Sequence, residues 1–111
     1  MSSILNDVKE QLGIVAEDTS FDNVITIHIN TALTTLTELG VGPAEGFMIT
    51  GATEEWSAFY EDQRLNSIKS YLFLRVKFLF DPGSFGSGYV LSALERQFQE
   101  MEWRLNSEVD F

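Results

Sequence analysis

The chain is 111 residues long, and its 17 acidic and 7 basic residues leave a net charge of −10, with an isoelectric point near 4.3. A surface of this charge repels phosphate backbones, which argues against groove reading or wrapping of DNA. Because the chain has no cysteine, it has no disulfide framework, thiolate metal site or thiol redox motif. The length predicts one domain, residues 1–111, with residues 107–111 as a candidate flexible tail.

The acidity leaves three interpretations open. Acidic charge can simply keep an apolar-rich protein soluble. It can also imitate DNA and occupy a DNA-binding protein, or line a passage through which DNA moves without adhering. Aromatic residues make up 13% of the chain, so we expect some of them to contact a partner.

The sequence shows no pattern typical of a signal peptide or a transmembrane segment. The N-terminal segment has neither the basic start nor the apolar stretch of a signal peptide. The longest apolar cluster, residues 71–80, is interrupted by Arg75 and Lys77 and is too short to cross a bilayer. We therefore expect a protein that is made in the cytoplasm and has no membrane partner.

A first helix is predicted over residues 3–12 by the spacing of its apolar residues. Ser2 or Ser3 can cap its start. Gly13 can take the left-handed conformation that ends it.

A second helix is predicted over residues 21–39, with Thr19 or Ser20 as its cap. Residues 25–30 alternate as they would in a strand. However, the three-and-four spacing of apolar residues continues well beyond the length of an ordinary strand, which favours a helix.

The middle of the chain is predicted to be a turn, a loop and a short helix. Gly40 and Pro43 end the second helix, because a glycine suits the position after a helix and proline cannot continue one. Residues 44–52 form a loop with a short extended piece at residues 47–50. Thr53 can cap a short third helix, with Glu54 and Glu55 in its first turn. The apolar side of this helix carries Trp56, Phe59 and Tyr60.

Two further helices complete the predicted fold. The fourth, residues 64–80, is apolar around most of its circumference, which indicates a central position. A glycine-rich joint at residues 82–88 leads to the fifth, residues 89–106. We therefore predict an all-α bundle of four main helices and one short helix. The fifth helix has a narrow apolar seam formed by Leu91, Leu94, Phe98, Met101 and Leu105.

The sequence offers little catalytic or metal-binding chemistry. His28 is the only imidazole and has neither a second histidine nor an acid one helical turn away, so we interpret it as a solvated or interface residue. The acidic pairs lack the alternating oxygen ligands and central glycine of a calcium loop. No nucleophile elbow, P-loop or dinucleotide fingerprint is present. We predict that the protein is not an enzyme and binds no metal or cofactor.

Three strings in order along the chain resemble those of a known family. They are residues 39–43 (LGVGP), residues 79–82 (LFDP) and residues 101–106 (MEWRLN). Together with the helix layout, they resemble the head–tail connector proteins of long-tailed bacteriophages, also called head-completion or adaptor proteins. The resemblance covers nearly the whole chain. The chain departs from the family pattern in its glycine-rich joint, so the resemblance does not fix the angle between the fourth and fifth helices.

The resemblance implies a structural virion protein located at the head–tail junction, with no catalytic residues. It implies a ring of about a dozen copies, placed beneath the portal protein, that extends the DNA channel and receives the next head-completion or tail protein. DNA would pass through without specific binding, along an inner surface where acidic residues cluster. The alternative is an acidic, DNA-mimicking inhibitor or regulator of a nucleic-acid-binding protein.

Contact residues are predicted in three places: on the turns, at Arg75 within the apolar fourth helix, and at the C-terminal end of the chain. Arg75 is expected either to extend to solvent or to meet an acid of a neighbouring subunit. Residues 103–111 are the candidate portal contact. The predicted interface residues are Gly40, Val41, Gly42, Pro43, Phe47, Ile49, Arg75, Phe80, Phe85, Trp103 and Phe111.

Overall fold

A computed structural model of the chain describes residues 3–61, 64–81, 83 and 88–109. Within those residues the fold is all-α, as predicted, and contains no strand; one isolated bridge joins Ser3 to Glu55. The helices are α1 (Ile4–Gln11), α2 (Asp22–Glu38), α3 (Trp56–Phe59), α4 (Leu65–Phe80) and α5 (Gly88–Val109).

Helix α1 begins and ends as predicted. The hydroxyl of Ser3 accepts a hydrogen bond from the backbone N–H of Asn6 at 3.2 Å, which caps the first turn. Gly13 follows the helix with a φ of +80°, a conformation that glycine adopts without steric cost. The alternative cap, Ser2, lies outside the described residues.

The start of α2 differs from the prediction. Its N-cap residue is Phe21, and no side chain caps the helix, so the assignment of Thr19 or Ser20 as the cap is wrong. The carboxylate of Asp18 instead accepts the backbone N–H of Ser20 at 3.1 Å. A local turn therefore takes the place of the expected cap.

The end of α2 is a complete Schellman motif. Gly40 has a φ of +87°, and its N–H donates to the carbonyl of Thr37 at 3.0 Å. The N–H of Val41 reaches the carbonyl of Leu36 at 2.9 Å. These two bonds satisfy the last carbonyls of the helix and turn the chain sharply away from it.

The loop after α2 has no regular secondary structure, so the predicted extended piece at residues 47–50 is not a strand. Asn30 of α2 holds it in place: its amide donates to the carbonyl of Ile49 at 3.0 Å and accepts the N–H of Ile49 at 2.8 Å. Ile49 is thereby inserted into the core, where it is 2% exposed.

Helix α3 begins after Glu55 without a side-chain cap, so the prediction of Thr53 as the cap is wrong. Glu54 lies before the helix, and its carboxylate folds back on the loop, where it accepts the N–H and hydroxyl of Thr50 at 3.0 and 2.8 Å. Burial acts to raise the pKa of Glu54, but the hydrogen bonds from Thr50 and Gly51 outweigh it and lower that pKa.

Trp56 attaches α3 to the rest of the bundle. Its indole N–H donates to Asp7 of α1 at 2.7 Å, and its ring meets Phe73 of α4 edge-on, with centroids 5.9 Å apart. The ammonium of Lys69 lies 5.1 Å from the same ring. The short helix is thus fixed against both α1 and α4.

Helix α4 is central, as its apolar circumference predicted, since it packs against α1, α2 and α5. Helix α5 buries Leu94, Phe98 and Leu105 of the predicted seam, with Met101 packed partly against the same core. The amide of Asn106 also donates to the carbonyl of Leu39 at 3.1 Å. This bond ties the far end of α5 to the end of α2.

Candidate assembly surfaces

The predicted interface residues fall into three classes of exposure. Gly40 and Trp103 are exposed, whereas Val41 and Ile49 are buried in the core of the subunit itself. The half-buried ones are Gly42, Pro43, Phe47, Arg75 and Phe80, and the last two of the set, Phe85 and Phe111, lie outside the described residues.

The turn at residues 40–43 packs inward, onto its own subunit. Val41 is 2% exposed. Gly42 has a φ of +86°, and a Cβ at this position would lie 2.5 Å from Cε1 of Phe59. Only glycine allows so close an approach. The two features explain this Gly-Val-Gly string within one subunit.

A groove opens on the outer side of the loop after α2. It has a volume of about 380 Å³. The ring of Phe47 packs against Phe59, with centroids 5.4 Å apart, while the neighbouring Met48 is 64% exposed. Part of the predicted contact loop is therefore turned towards solvent. The groove is lined by Thr34, Thr37, Glu45, Gly46, Phe47 and Met48.

Arg75 lies in the contact between α4 and α5. Its guanidinium is 4.6 Å from the centre of the Phe98 ring. One turn away, the hydroxyl of Tyr71 donates to Glu102 at 2.6 Å. Burial, and then the hydrogen bond and charge of Glu102, raise the pKa of Tyr71 well above its usual range. These pairs join α4 to α5 within the subunit.

The outer side of α5 carries an exposed stripe that we call the α5 stripe, formed by Ser92, Arg96, Gln99 and Trp103. These residues follow helical spacing on the side opposite to the buried seam. Trp103 is 69% exposed. Next to it, Arg104 pairs with Glu100 one turn away. Exposed tryptophan and arginine are the residue types that dominate contact energies at protein interfaces.

The outer side of α2 is a second exposed surface, with little charge, which the sequence analysis missed. We call it the α2 face and define it by Val24, Ile27, Thr31, Thr34 and Glu38, which share one side of the helix. Ile27 is 62% exposed. A signal was available, because residues 23–37 contain no Asp, Glu, Lys or Arg.

Acidic residues gather around α1 and the loop that follows it. A groove of about 550 Å³ is lined there by Asp7, Glu10 and Glu17, among others. Glu10, Glu17 and Asp18 are exposed. The backbone N–H of Ser20 lowers the pKa of Asp18, which keeps this carboxyl ionised. We call Glu10, Glu17 and Asp18 the acidic surface.

The loop that carries this surface is fixed by a buried ion pair. Lys9 is 1% exposed, and its ammonium lies 2.8 Å from Oδ1 of Asp22 at the start of α2. The same ammonium donates to the carbonyl of Ala16 at 3.0 Å. Lys9 therefore ties α1 to the middle of the α1–α2 loop and to the start of α2, on either side of Glu17 and Asp18.

The described residues contain no metal-binding cluster and no membrane-spanning helix. His28 is half-buried on α2, and no group of three or more His, Cys, Asp or Glu side chains in the described ranges is placed to hold a metal ion. None of the helices in that part of the chain is long and apolar enough to span a bilayer.

Comparison with known proteins gives one match. The family model described as phage connector protein matches residues 4–110 of this chain. Neither the curated proteins nor the solved structures include a significant match.

Proposed function

Since the protein belongs to the phage connector protein family, and so is a structural virion component of the head–tail junction, we propose that it forms a ring there that extends the DNA channel. The family match, which runs from residue 4 to residue 110, carries this proposal. Exposed apolar side chains on two different helices support it, because each subunit of a closed ring needs two complementary faces.

The acidic surface is our candidate for the channel wall. Glu10, Glu17 and Asp18 are exposed on α1 and its following loop. DNA carries a dense negative charge, so lysine and arginine on a channel wall would hold it by its phosphates. Carboxylates repel the phosphates instead, and DNA can then slide past.

The partners at the two ends of the ring are, in this proposal, the portal protein and the next head-completion or tail protein. The C-terminal end of α5 and the residues that follow it are assigned to the portal. The groove beside Phe47 and Met48 adjoins the same end of the bundle, because Thr37 lines it and Asn106 of α5 donates to Leu39, so its contacts are expected on the same side of the ring.

The distribution of charge favours a connector over a DNA mimic. A mimic presents carboxylates at phosphate-like spacing on one face. In this chain the exposed acids lie on α1, the α1–α2 loop, the end of α2, the loop after it and α5. Examples are Glu10, Asp18, Glu38, Glu45 and Glu95.

The experiment is a mass measurement in solution, followed by negative-stain imaging, with the purified protein alone and mixed with portal protein. We expect closed rings, either alone or on the portal. A pull-down with portal protein gives an independent readout. A particle that remains a monomer or dimer in both conditions and does not bind portal protein, but captures a DNA-binding enzyme, would favour the mimic and overturn the connector ring.

A further inference from the structure

The exposed Trp103 and the groove beside the loop after α2 lie at the same level of the bundle. The amide of Asn106 donates to the carbonyl of Leu39, so α5 and α2 meet near their C-terminal ends. Trp103 comes three residues before Asn106, about 5 Å along its helix. Thr34 and Thr37, which line the groove, come five and two residues before Leu39, about 3–8 Å along theirs.

Helices α2 and α5 also run in the same direction. Tyr71 and Arg75 of α4 meet Glu102 and Phe98 of α5 in reverse order, so α5 is antiparallel to α4. The ring of Phe80 at the end of α4 lies 5.5 Å from that of the N-cap residue of α2, so α2 is antiparallel to α4 as well.

This common direction matters for copies that stand side by side in a ring. The portal contact proposed above, at the end of α5, sets the channel along the bundle. Rotation about the channel then keeps every copy pointing the same way and every residue at the same height. Trp103 of one copy and the groove of the next therefore stand level with each other.

The groove has the size and the lining to receive an indole ring. Its volume is about 380 Å³, whereas an apolar cavity of about 150 Å³ already holds benzene. Phe47 offers an aromatic ring and Met48 an exposed thioether side chain, and both groups pack well against aromatic rings. Trp103 is 69% exposed in its own subunit, so its ring is free to enter such a groove.

The hydroxyl of Thr37 supplies an acceptor for the indole N–H. It is buried beside the groove and makes no hydrogen bond within the described part of the chain. Buried hydroxyls ordinarily have a partner, and a buried indole N–H needs an acceptor. Threonine in a helix has two favourable χ1 rotamers, so its oxygen can turn towards an incoming ring.

The charges at the two surfaces are opposite. Copies that each carry a net charge of −10 repel one another in most orientations. The α5 stripe, however, carries Arg96 beside Trp103 and contains no carboxylate, while Glu45 lies on the lining of the groove. Glu100, which adjoins the stripe, is already paired with Arg104. This contact therefore avoids most of the repulsion between copies.

We propose that Trp103 of one copy inserts into the groove beside Phe47 and Met48 of the next copy, with the two copies pointing in the same direction. This inference rests on the proposed ring and names its lateral contact. The indole and the groove are different surfaces, so the contact is heterologous, which is the kind that closes a ring. Trp103 is thus assigned to the neighbouring copy, whereas the sequence alone placed it at the portal.

Cross-linking tests the contact and its level, because the chain has no cysteine of its own. Thr34→Cys/Gln99→Cys places one thiol at the groove and one a helical turn before Trp103. Thr34→Cys/Ser92→Cys moves the second thiol about 10 Å further along α5. Both variants are assembled with portal protein and treated with a short bis-maleimide. We expect a ladder of multimers beyond the dimer from the first variant and none from the second.

The other outcomes separate the contact from the ring. Equal ladders from both variants, dimers from Thr34→Cys alone, or rings in negative stain without a ladder overturn the contact but leave the ring intact. Absence of rings in every condition instead refutes the proposed function, and the contact with it.

The fluorescence of Trp103 reports its own burial. The other tryptophan, Trp56, is 3% exposed and bonded within the subunit, so acrylamide quenches chiefly Trp103 in the free chain. We expect ring formation to shift the emission to shorter wavelength and to remove most of this quenching. Rings in which Trp103 is quenched as in the free chain contradict the proposal. Protection without the cross-linked ladder places Trp103 against the portal and contradicts it too.

A matched pair of charges tests the groove. Met48→Glu places a carboxylate in it, and Val15→Glu places one at a comparably exposed position, 65% against 64%, in the α1–α2 loop. We expect Met48→Glu to raise the protein concentration needed for ring formation by about tenfold or more and Val15→Glu to leave it unchanged. Circular dichroism checks that both variants fold. Equal assembly of the two folded variants overturns the contact.

A double-mutant cycle tests whether the two side chains meet. Trp103→Ala alone should raise the concentration needed for ring formation by about tenfold or more. Adding Met48→Ala should raise it by no more than about a further twofold, because the groove has already lost the ring that it would bind. Met48→Ala that weakens assembly equally with and without Trp103 shows that the two side chains act independently, and the proposed insertion is then wrong.

Discussion

The ion pair between Lys9 and Asp22 makes an asymmetric prediction about stability. Lys9 is 1% exposed, whereas Asp22 is 30% exposed. Asp22→Asn leaves a buried ammonium that still donates to the carbonyl of Ala16 but has lost its carboxylate. Breaking a buried pair from one side costs about 3–5 kcal/mol. We expect about 3 kcal/mol here, because the pair is open to water on the side of Asp22.

Lys9→Met should be the milder change. It leaves a carboxylate that water can reach and that still lies at the favourable N-terminal end of α2, and the methionine fills most of the volume of the lysine stem. We expect about 1 kcal/mol of destabilisation. Each single change leaves the other charge without its partner. The loss of unfolding free energy in the double variant should therefore be clearly smaller than the sum of the losses in the two single variants.

The assay is urea unfolding followed by circular dichroism, with a thermal scan as a second measure. Each kcal/mol corresponds to roughly 4 °C in Tm for a domain of this size. Asp22→Asn should therefore lower Tm by about 12 °C, while the control Glu17→Gln, an exposed acid in the same loop, should change stability by less than about 0.5 kcal/mol. Equal costs for the two single variants, or strict additivity in the double variant, would refute this reasoning.

Two further predictions concern the core. Gly42→Ala should destabilise the fold by about 2–4 kcal/mol in urea unfolding, because the new Cβ would clash with Phe59 and because φ is positive. Gly13→Ala is the control: φ is also positive there, but no atom lies within 4 Å, so we expect a cost of only about 1–2 kcal/mol. Burial and Glu102 raise the pKa of Tyr71 in the folded protein above its ordinary value of 10.0. The raised pKa therefore contributes to the free energy of unfolding in full below pH 10, where the phenol is neutral in both states. This contribution is lost as the pH rises towards and through the pKa of the folded protein. Unfolding measured from pH 9 upward should show this alkaline loss in the natural protein and less of it in Tyr71→Phe.

The helices could be predicted because their ends are marked by local chemistry. Gly13 and Gly40 both adopt positive φ where the sequence indicated helix stops. The seam of α5 and the central place of α4 followed from apolar spacing alone. These features depend on residues close together in the chain, which is the information that a sequence pattern contains.

The caps of α2 and α3 were predicted wrongly, because carboxylates organise the segments before these helices as turns and no side chain caps either helix. Asp18 binds the N–H of Ser20, and Glu54 binds Thr50, so each short polar segment forms a turn of its own. The sequence shows several acceptors and several N–H groups in each segment, and which pairs form depends on the tertiary position of the loop.

The assembly surfaces were only partly predictable. Exposure of Trp103 followed from its place off the seam, but Val41 and Ile49 are buried in the subunit although both were assigned to an interface. Apart from Glu38 at its end, the side of α2 that contains Ile27 is as uncharged as the buried side. Hydrophobicity alone cannot tell a core face from a contact face, so the structure was needed to distinguish them.

The most direct measurement is a cryo-electron microscopy map of the head–tail junction in the intact phage particle. The account predicts a closed ring of this chain directly below the portal, with Glu10, Glu17 and Asp18 facing the DNA channel. A junction without this chain, or a ring whose channel wall is lined by lysine and arginine, would contradict it.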